Sequence, residues 1–132
     1  MNETESLIHR YFEAFNAHNE NALVVLLGND IAHDINEGER AVGIDAFTGF
    51  RARMNRCYRE QISELRVMVD GDTGCAEFIC SGVYLATDEG LPEAHGQPYA
   101  ISAVAIFQAR EGKIVRITSY YNLRAWIKAV SG

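Results

Sequence analysis

The sequence predicts an α+β fold in which N-terminal helices cover one face of a curved, mainly antiparallel sheet. Apolar residues recur at helical spacing early in the chain, at Leu7, Ile8, Tyr11, Phe12 and Phe15. The second half instead alternates apolar and polar residues in long runs. Glycine-bearing turns, Asp70-Gly71-Asp72-Thr73-Gly74 and Glu111-Gly112, join these runs as antiparallel neighbours.

Taken in order, residues 3–16 form an amphipathic helix that Asn2 or Thr4 can cap. After the polar break 16–21, the apolar stretch 22–27 reads as a short second helix closed by Gly28. Residues 31–36 read as a strand, and 38–43 as a short return with a turn on each side. A third helix covers residues 44–58, with Phe47, Phe50, Met54 and Cys57 or Tyr58 on one face and the arginines mostly on the other. Strands follow at 62–69, 75–87, 99–110 and 113–122, with a Gly- and Pro-bearing loop at 88–98. A terminal helix over 123–130 carries Trp126. Such a sheet closes into a cone with a pocket inside.

The totals bound the function. A chain of 132 residues, 48% hydrophobic and 23% charged with two prolines, reads as a single domain over 1–132 that buries roughly two thirds of its unfolded surface. With a net charge of -6 and no long basic run it lacks the footprint for nucleic acid. The Arg51, Arg53, Arg56, Arg59 cluster reads as a solvated helix face. Cys57, Cys75 and Cys80 make no Cys-x-x-Cys pair, which fits a reducing compartment. No basic leader and no membrane-length apolar run is present, so a cytoplasmic protein is expected. His9, His18 and His95 lack metal-ligand spacing, and the glycines form no phosphate loop or dinucleotide fingerprint. No metal and no cofactor are expected.

Asp34 is the leading candidate for a reacting group. In a strand, Asp34 and Asn36 share a face, and a carboxylate facing an apolar interior is costly unless it is paired or put to use. The alternative is a strand-end carboxylate bonding amides of the Glu37-Gly38 turn. Asn36 can orient Asp34 or a substrate oxygen, or make an Asx-turn. His33 points the opposite way, toward a core or an interface. Parity places Phe78, Cys80, Gly82 and Tyr84 on one strand face, Tyr99, Ile101, Ala103, Ala105 and Phe107 on another, and Ile117, Ser119 and Tyr121 on a third.

The order of elements, with RYFEAFNAHNENAL, HDINEG and GKIVRITSYYNLRAW, resembles the nuclear transport factor 2-like (NTF2-like) superfamily, in particular its ketosteroid isomerase and SnoaL-like polyketide cyclase branch. The resemblance covers nearly the whole chain and implies a cone-shaped fold that hosts many chemistries. The isomerase, a worked example of pKa tuning, uses an aspartate base with a tyrosine and a protonated aspartic acid as oxyanion donors. By motif, Asp34 falls on the base, nine residues before Gly43, and Tyr11 on the tyrosine. The second acid falls at or near Ala103 and is missing. The limonene epoxide hydrolase branch matches at GKIVRITSYYNLRAW, but its aspartates fall on Ser119 and near Phe78 and Cys80.

The resemblance assigns the strand faces to the pocket. Its implied walls include Phe78, Tyr84, Tyr99, Ile101, Ala103, Phe107, Ser119, Tyr121 and Trp126, with small residues leaving volume for a ligand. The function expected is cofactor-independent proton transfer on an apolar carbonyl-type substrate, with Asp34 as base and Tyr11, Asn36 or Tyr84 steadying negative charge. The alternatives are a non-catalytic module for a hydrophobic ligand or for assembly, and an epoxide hydrolase or dehydratase. The expected partners are a small apolar ligand and a second copy in a homodimer. Asp34, if it faces the cone, should have a raised pKa, and Asp34→Asn should be neutral or stabilising.

Overall fold

A computed structural model describes residues 2–131. Helix α1 spans Glu3–Asn16, and the Asn2 side chain caps it by accepting from the Glu5 amide at 2.8 Å. Its buried stripe of Leu7, Ile8, Tyr11 and Phe12 follows the 3.6-residue period. Helix α2 covers Glu20–Val24, earlier than the sequence suggested, because Asn19 caps it by accepting from the Ala22 amide. Leu27 instead opens strand β1, Leu27–Ile35, where it pairs with Ile114.

The return after β1 is the short strand β2, Ala41–Val42, antiparallel to β1. Helix α3 runs Ile44–Cys57 and passes directly into β3, Tyr58–Asp70. That strand starts four residues before the predicted 62. Strands β4, Thr73–Tyr84, β5, Gln97–Arg110, and β6, Lys113–Tyr121, follow, and then helix α4, Leu123–Ser131.

The six strands form one unclosed mixed sheet in the order β2-β1-β6-β5-β4-β3. Neighbours are antiparallel except β1 and β6, which run parallel. A parallel pair needs a long crossover, and here everything from β2 to β5 lies between the two strands. An irregularity in β3 between Ser63 and Arg66, with Glu64 at φ 52°, helps curl the sheet. At the exposed edge of β3, the Asn16 side chain accepts from the Ile62 amide at 2.8 Å and donates to its carbonyl at 2.9 Å, standing in for a missing strand.

Two apolar clusters fill the concave side. Leu7, Ile8, Phe12, Leu23, Ile31 and Phe107 anchor the larger one under α1. Tyr58, Tyr84, Tyr99 and Trp126 build an aromatic one under α4. No helix among the described residues is long and apolar enough to cross a membrane.

Candidate active site

Between the two clusters lies a cavity of about 350 Å³, walled by α1, α3, α4, the loop after β4 and the concave face of the sheet. Strand register builds its floor. Phe78 pairs with Ala103 and Ala103 with Tyr121, while Cys80 pairs with Ile101, so these side chains share the concave face. Phe107, Ser119 and Trp126 complete the wall with them, and the short side chains of Ala103 and Ala105 leave the space open. Burial pushes the Tyr121 hydroxyl up in pKa, and its nearest acids add to this. Two expected wall residues lie elsewhere. Tyr84 is fully buried, stacked on Tyr58, and its hydroxyl donates to the Pro92 carbonyl at 2.6 Å and accepts from the Asp88 amide. Tyr99 packs edge-on against Tyr58 and Trp126 behind the wall, because the aromatic cluster claims its ring.

The largest correction concerns Asp34. In β1 the inward residues are Ile31, His33 and Ile35, and His33 and Ile35 line the cavity. Asp34 therefore faces the convex side, beside Thr118 in β6. Arg40 donates to its two oxygens at 2.8 and 2.9 Å, and the Thr118 hydroxyl at 2.6 Å. The Arg40 hydrogen bonds, with help from Thr118, hold its pKa down at about 2, the opposite of the rise expected for a base in an apolar cone. Asn36 is a turn residue at φ 46° whose side chain accepts from the Tyr121 amide at 3.0 Å. It ties β1 to β6 and does not line the cavity.

Tyr11 does reach the cavity, from α1. Its ring meets Phe12 and Phe107 edge-on, and its hydroxyl has no hydrogen-bond partner among the described residues. Burial pushes its pKa up to about 12, partly opposed by the Arg51 guanidinium, so it stays protonated and can donate.

Further polar residues line the cavity that sequence reasoning did not single out as site residues, among them Glu60, His33 and Arg51. Glu60 projects from the early part of β3, between residue 58, where the sequence ends the third helix, and residue 62, where it starts the strand. Tyr99 donates to its Oε2 at 2.6 Å by reaching across Gly82, which pairs with both Glu60 and Tyr99. A Cβ on Gly82 would stand 2.5 Å from the Tyr99 hydroxyl, so only glycine leaves that path open. Burial, reinforced by Glu60, raises the pKa of both the Tyr99 hydroxyl and the Cys80 thiol. The spacing Tyr58, Glu60, Ile62 was the available signal.

His33 lies between Phe47 and Phe50, with Nδ1 buried and unpartnered. Burial drives its pKa down to about 4, leaving the ring neutral at ordinary pH. Arg51 belongs to the Phe47, Met54 stripe of α3 and not to a solvated face: it is only 5% exposed and forms a bidentate ion pair with Glu20. Near the mouth, Arg53 pairs with Asp88 at 3.4 Å, and Tyr58 donates to the same carboxylate at 2.7 Å. No cluster of three potential metal ligands occurs among the described residues.

The chain that folds into this curled sheet and these helices matches the SnoaL-like domain family over residues 8–117. The chain belongs to the SnoaL-like family. A candidate polyketide cyclase from Pseudomonas putida KT2440 is 48% identical, with 98% of each chain covered and a TM-score of 0.94. Another from Xanthomonas campestris pv. campestris is 44% identical over 97% of this chain and 96% of its own, again at a TM-score of 0.94. An NTF2-like protein of unknown function from Burkholderia pseudomallei K96243 covers 100% of both chains at 11% identity and a TM-score of 0.85, a likeness of fold alone. No curated protein gives a significant match. The SnoaL-like chain thus has an NTF2-like α+β fold, as its motifs suggested, while the residue expected to be its base faces away from the cavity.

Proposed function

We propose that this protein is a small-molecule enzyme that moves a proton on an apolar, ring-bearing carbonyl compound, with Glu60 in place of Asp34 as general base. The observation that carries this reading is the Glu60 carboxylate, facing an apolar cavity and steadied at Oε2 by Tyr99. A base must reach the proton it removes, and Glu60 reaches the cavity where Asp34 does not. His33 is the weaker choice, since its ring is wedged between Phe47 and Phe50 with Nδ1 buried out of a substrate's reach.

Removing a proton next to a carbonyl leaves negative charge on the oxygen. The protonated Tyr11 hydroxyl, at a pKa of about 12 and without a protein acceptor, is a suitable donor to that oxygen. Enolisation moves only protons and needs no cofactor. The candidate polyketide cyclases among the similar proteins favour carbonyl-rich ring compounds as the substrate class.

Deuterium uptake at the α-carbon of 1-tetralone in D2O, followed by NMR, tests this reading. Wild type and Asp34→Asn should accelerate exchange alike, and Glu60→Gln should lose about 10²- to 10⁴-fold. Binding of the ketone without exchange would establish a non-catalytic ligand-binding module instead. Loss of exchange on Asp34→Asn would return the role to that residue.

A further inference from the structure

The guanidinium of Arg51 carries five N–H donors in a planar fork, and the protein uses one edge of it. Glu20 accepts from Nε at 2.9 Å and from Nη2 at 3.0 Å. The Phe15 ring lies 4.5 Å beneath Cζ and fixes the plane of the group. Nη1 has no acceptor among the described residues, although the side chain is only 6% exposed and lines the cavity. The unused edge, Nη1 with the second N–H of Nη2, is therefore an oriented pair of donors with no protein partner in a largely apolar enclosure. A charge-assisted hydrogen bond made in a largely apolar enclosure is stronger than one made in water, so the site favours an occupant that accepts from both.

We propose that this free edge of Arg51 is the receptor for a planar pair of ligand oxygens sharing one negative charge. A guanidinium fork matches that geometry, as it matches a carboxylate. Two ligand types present it, a carboxylate and the enolate of a 1,3-dicarbonyl. Glu20 already neutralises much of the guanidinium charge, so a single negative charge suits the site better than several. The inference deepens the reading of the cavity as a proton-transfer site and rests on it. When Glu60 takes the proton between two carbonyls, the C–H bond breaks and its electron pair becomes the enolate C=C bond. One C=O π pair moves onto oxygen. The charge that leaves Glu60 reappears over two oxygens facing the fork, and return of the proton to carbon reverses the step.

Calorimetric titration with tetralin, 1-tetralone, 2-acetyl-1-tetralone and 2-naphthoate decides the matter, because these probes offer none, one or two oxygens on similar ring systems. Wild type should bind at least one two-oxygen probe about tenfold or more tighter than 1-tetralone. Whichever of the two is tighter identifies the source of the oxygen pair. In Arg51→Lys, which keeps the charge and loses the fork, that preference should shrink to within about twofold. Equal wild-type affinity for one- and two-oxygen probes overturns the proposal and leaves the cavity reading standing. So does a preference that survives Arg51→Lys. Failure of all four probes, tetralin included, removes the cavity reading as well. Should circular dichroism show Arg51→Lys unfolded, the wild-type ranking alone decides.

Discussion

Three hydrogen bonds converge on the Asp34 carboxylate, two from Arg40 and one from Thr118, and they favour the charged form by more than partial burial disfavours it. The folded pKa, about 2, lies below the ordinary 3.8, so the stability this group contributes is present above the unfolded value and is lost as pH falls through the folded one. Arg40 is exposed and its ion pair is screened, so the effect of its hydrogen bonds on the pKa converts only partly into stability. Asp34→Asn should therefore cost about 1 kcal/mol at neutral pH, a drop of a few degrees in Tm. The difference between variant and wild type should close toward pH 2. Equal Tm values at pH 7 would contradict this account. His33 works through burial. Its folded pKa of about 4 lies below the unfolded 6.5, so the unfolded chain takes up the proton first and stability falls as pH drops through that window. His33→Phe, between Phe47 and Phe50, should flatten the Tm profile between pH 6.5 and 4, and an unchanged slope would show that other groups set it.

The Glu60, Gly82, Tyr99 row shows how adjacent strands make one functional unit. A methyl group on Gly82 would meet the Tyr99 ring at 2.6 Å and the Arg59 carbonyl at 2.9 Å, and backbone cannot yield as a side-chain tip can. Gly82→Ala should cost about 1 to 3 kcal/mol. It should also slow α-proton exchange by freeing Glu60 from Tyr99. A variant with unaltered Tm and exchange would mean that the row gives freely. The faces of β4, β5 and β6 were legible from the sequence because strict alternation and tight turns leave little choice of parity. The parity of β1 was equally present, in Ile31 and Ile35, but the polar pair Asp34 and Asn36 was assigned to the interior face in their place. The sequence reading ends the helix at residue 58 and begins the strand at 62, because 59–61 are all polar and no glycine or proline marks the change. Arg51 was read by its charge when its spacing from Phe47 and Met54 placed it on the buried stripe. The Glu20–Arg51 pair and the reach of Tyr99 to Glu60 depend on which elements become neighbours, information that local periodicity does not contain.

The helices α1, α3 and α4 pack on the concave face, and no described element covers the convex one. There Val104 pairs with Tyr120 and Ile106 with Thr118, while Ile79 lies one strand over, giving an apolar strip with Tyr120 48% exposed. Asp30, Arg40, Arg110 and Arg116 border it, and the Arg116 Nε is buried without a partner. A face carrying an apolar strip beside charges of both signs can complement itself across a two-fold axis, where each copy presents the same patch to the other. We propose a homodimer through this surface, with a second copy of the chain as the occupant. A stable pair must bury roughly 1,200–2,000 Å² in total, which the exposed side of β4, β5 and β6 together could supply and no single strand could. Sedimentation velocity at micromolar concentration should show a dimer. Val104→Arg and Tyr120→Asp, which place charge in the middle of the strip, should each shift it toward monomer while leaving the concave cavity and its ligand affinity intact. A wild-type monomer would dispose of the proposal, and a dimer indifferent to both substitutions would move the interface to another surface.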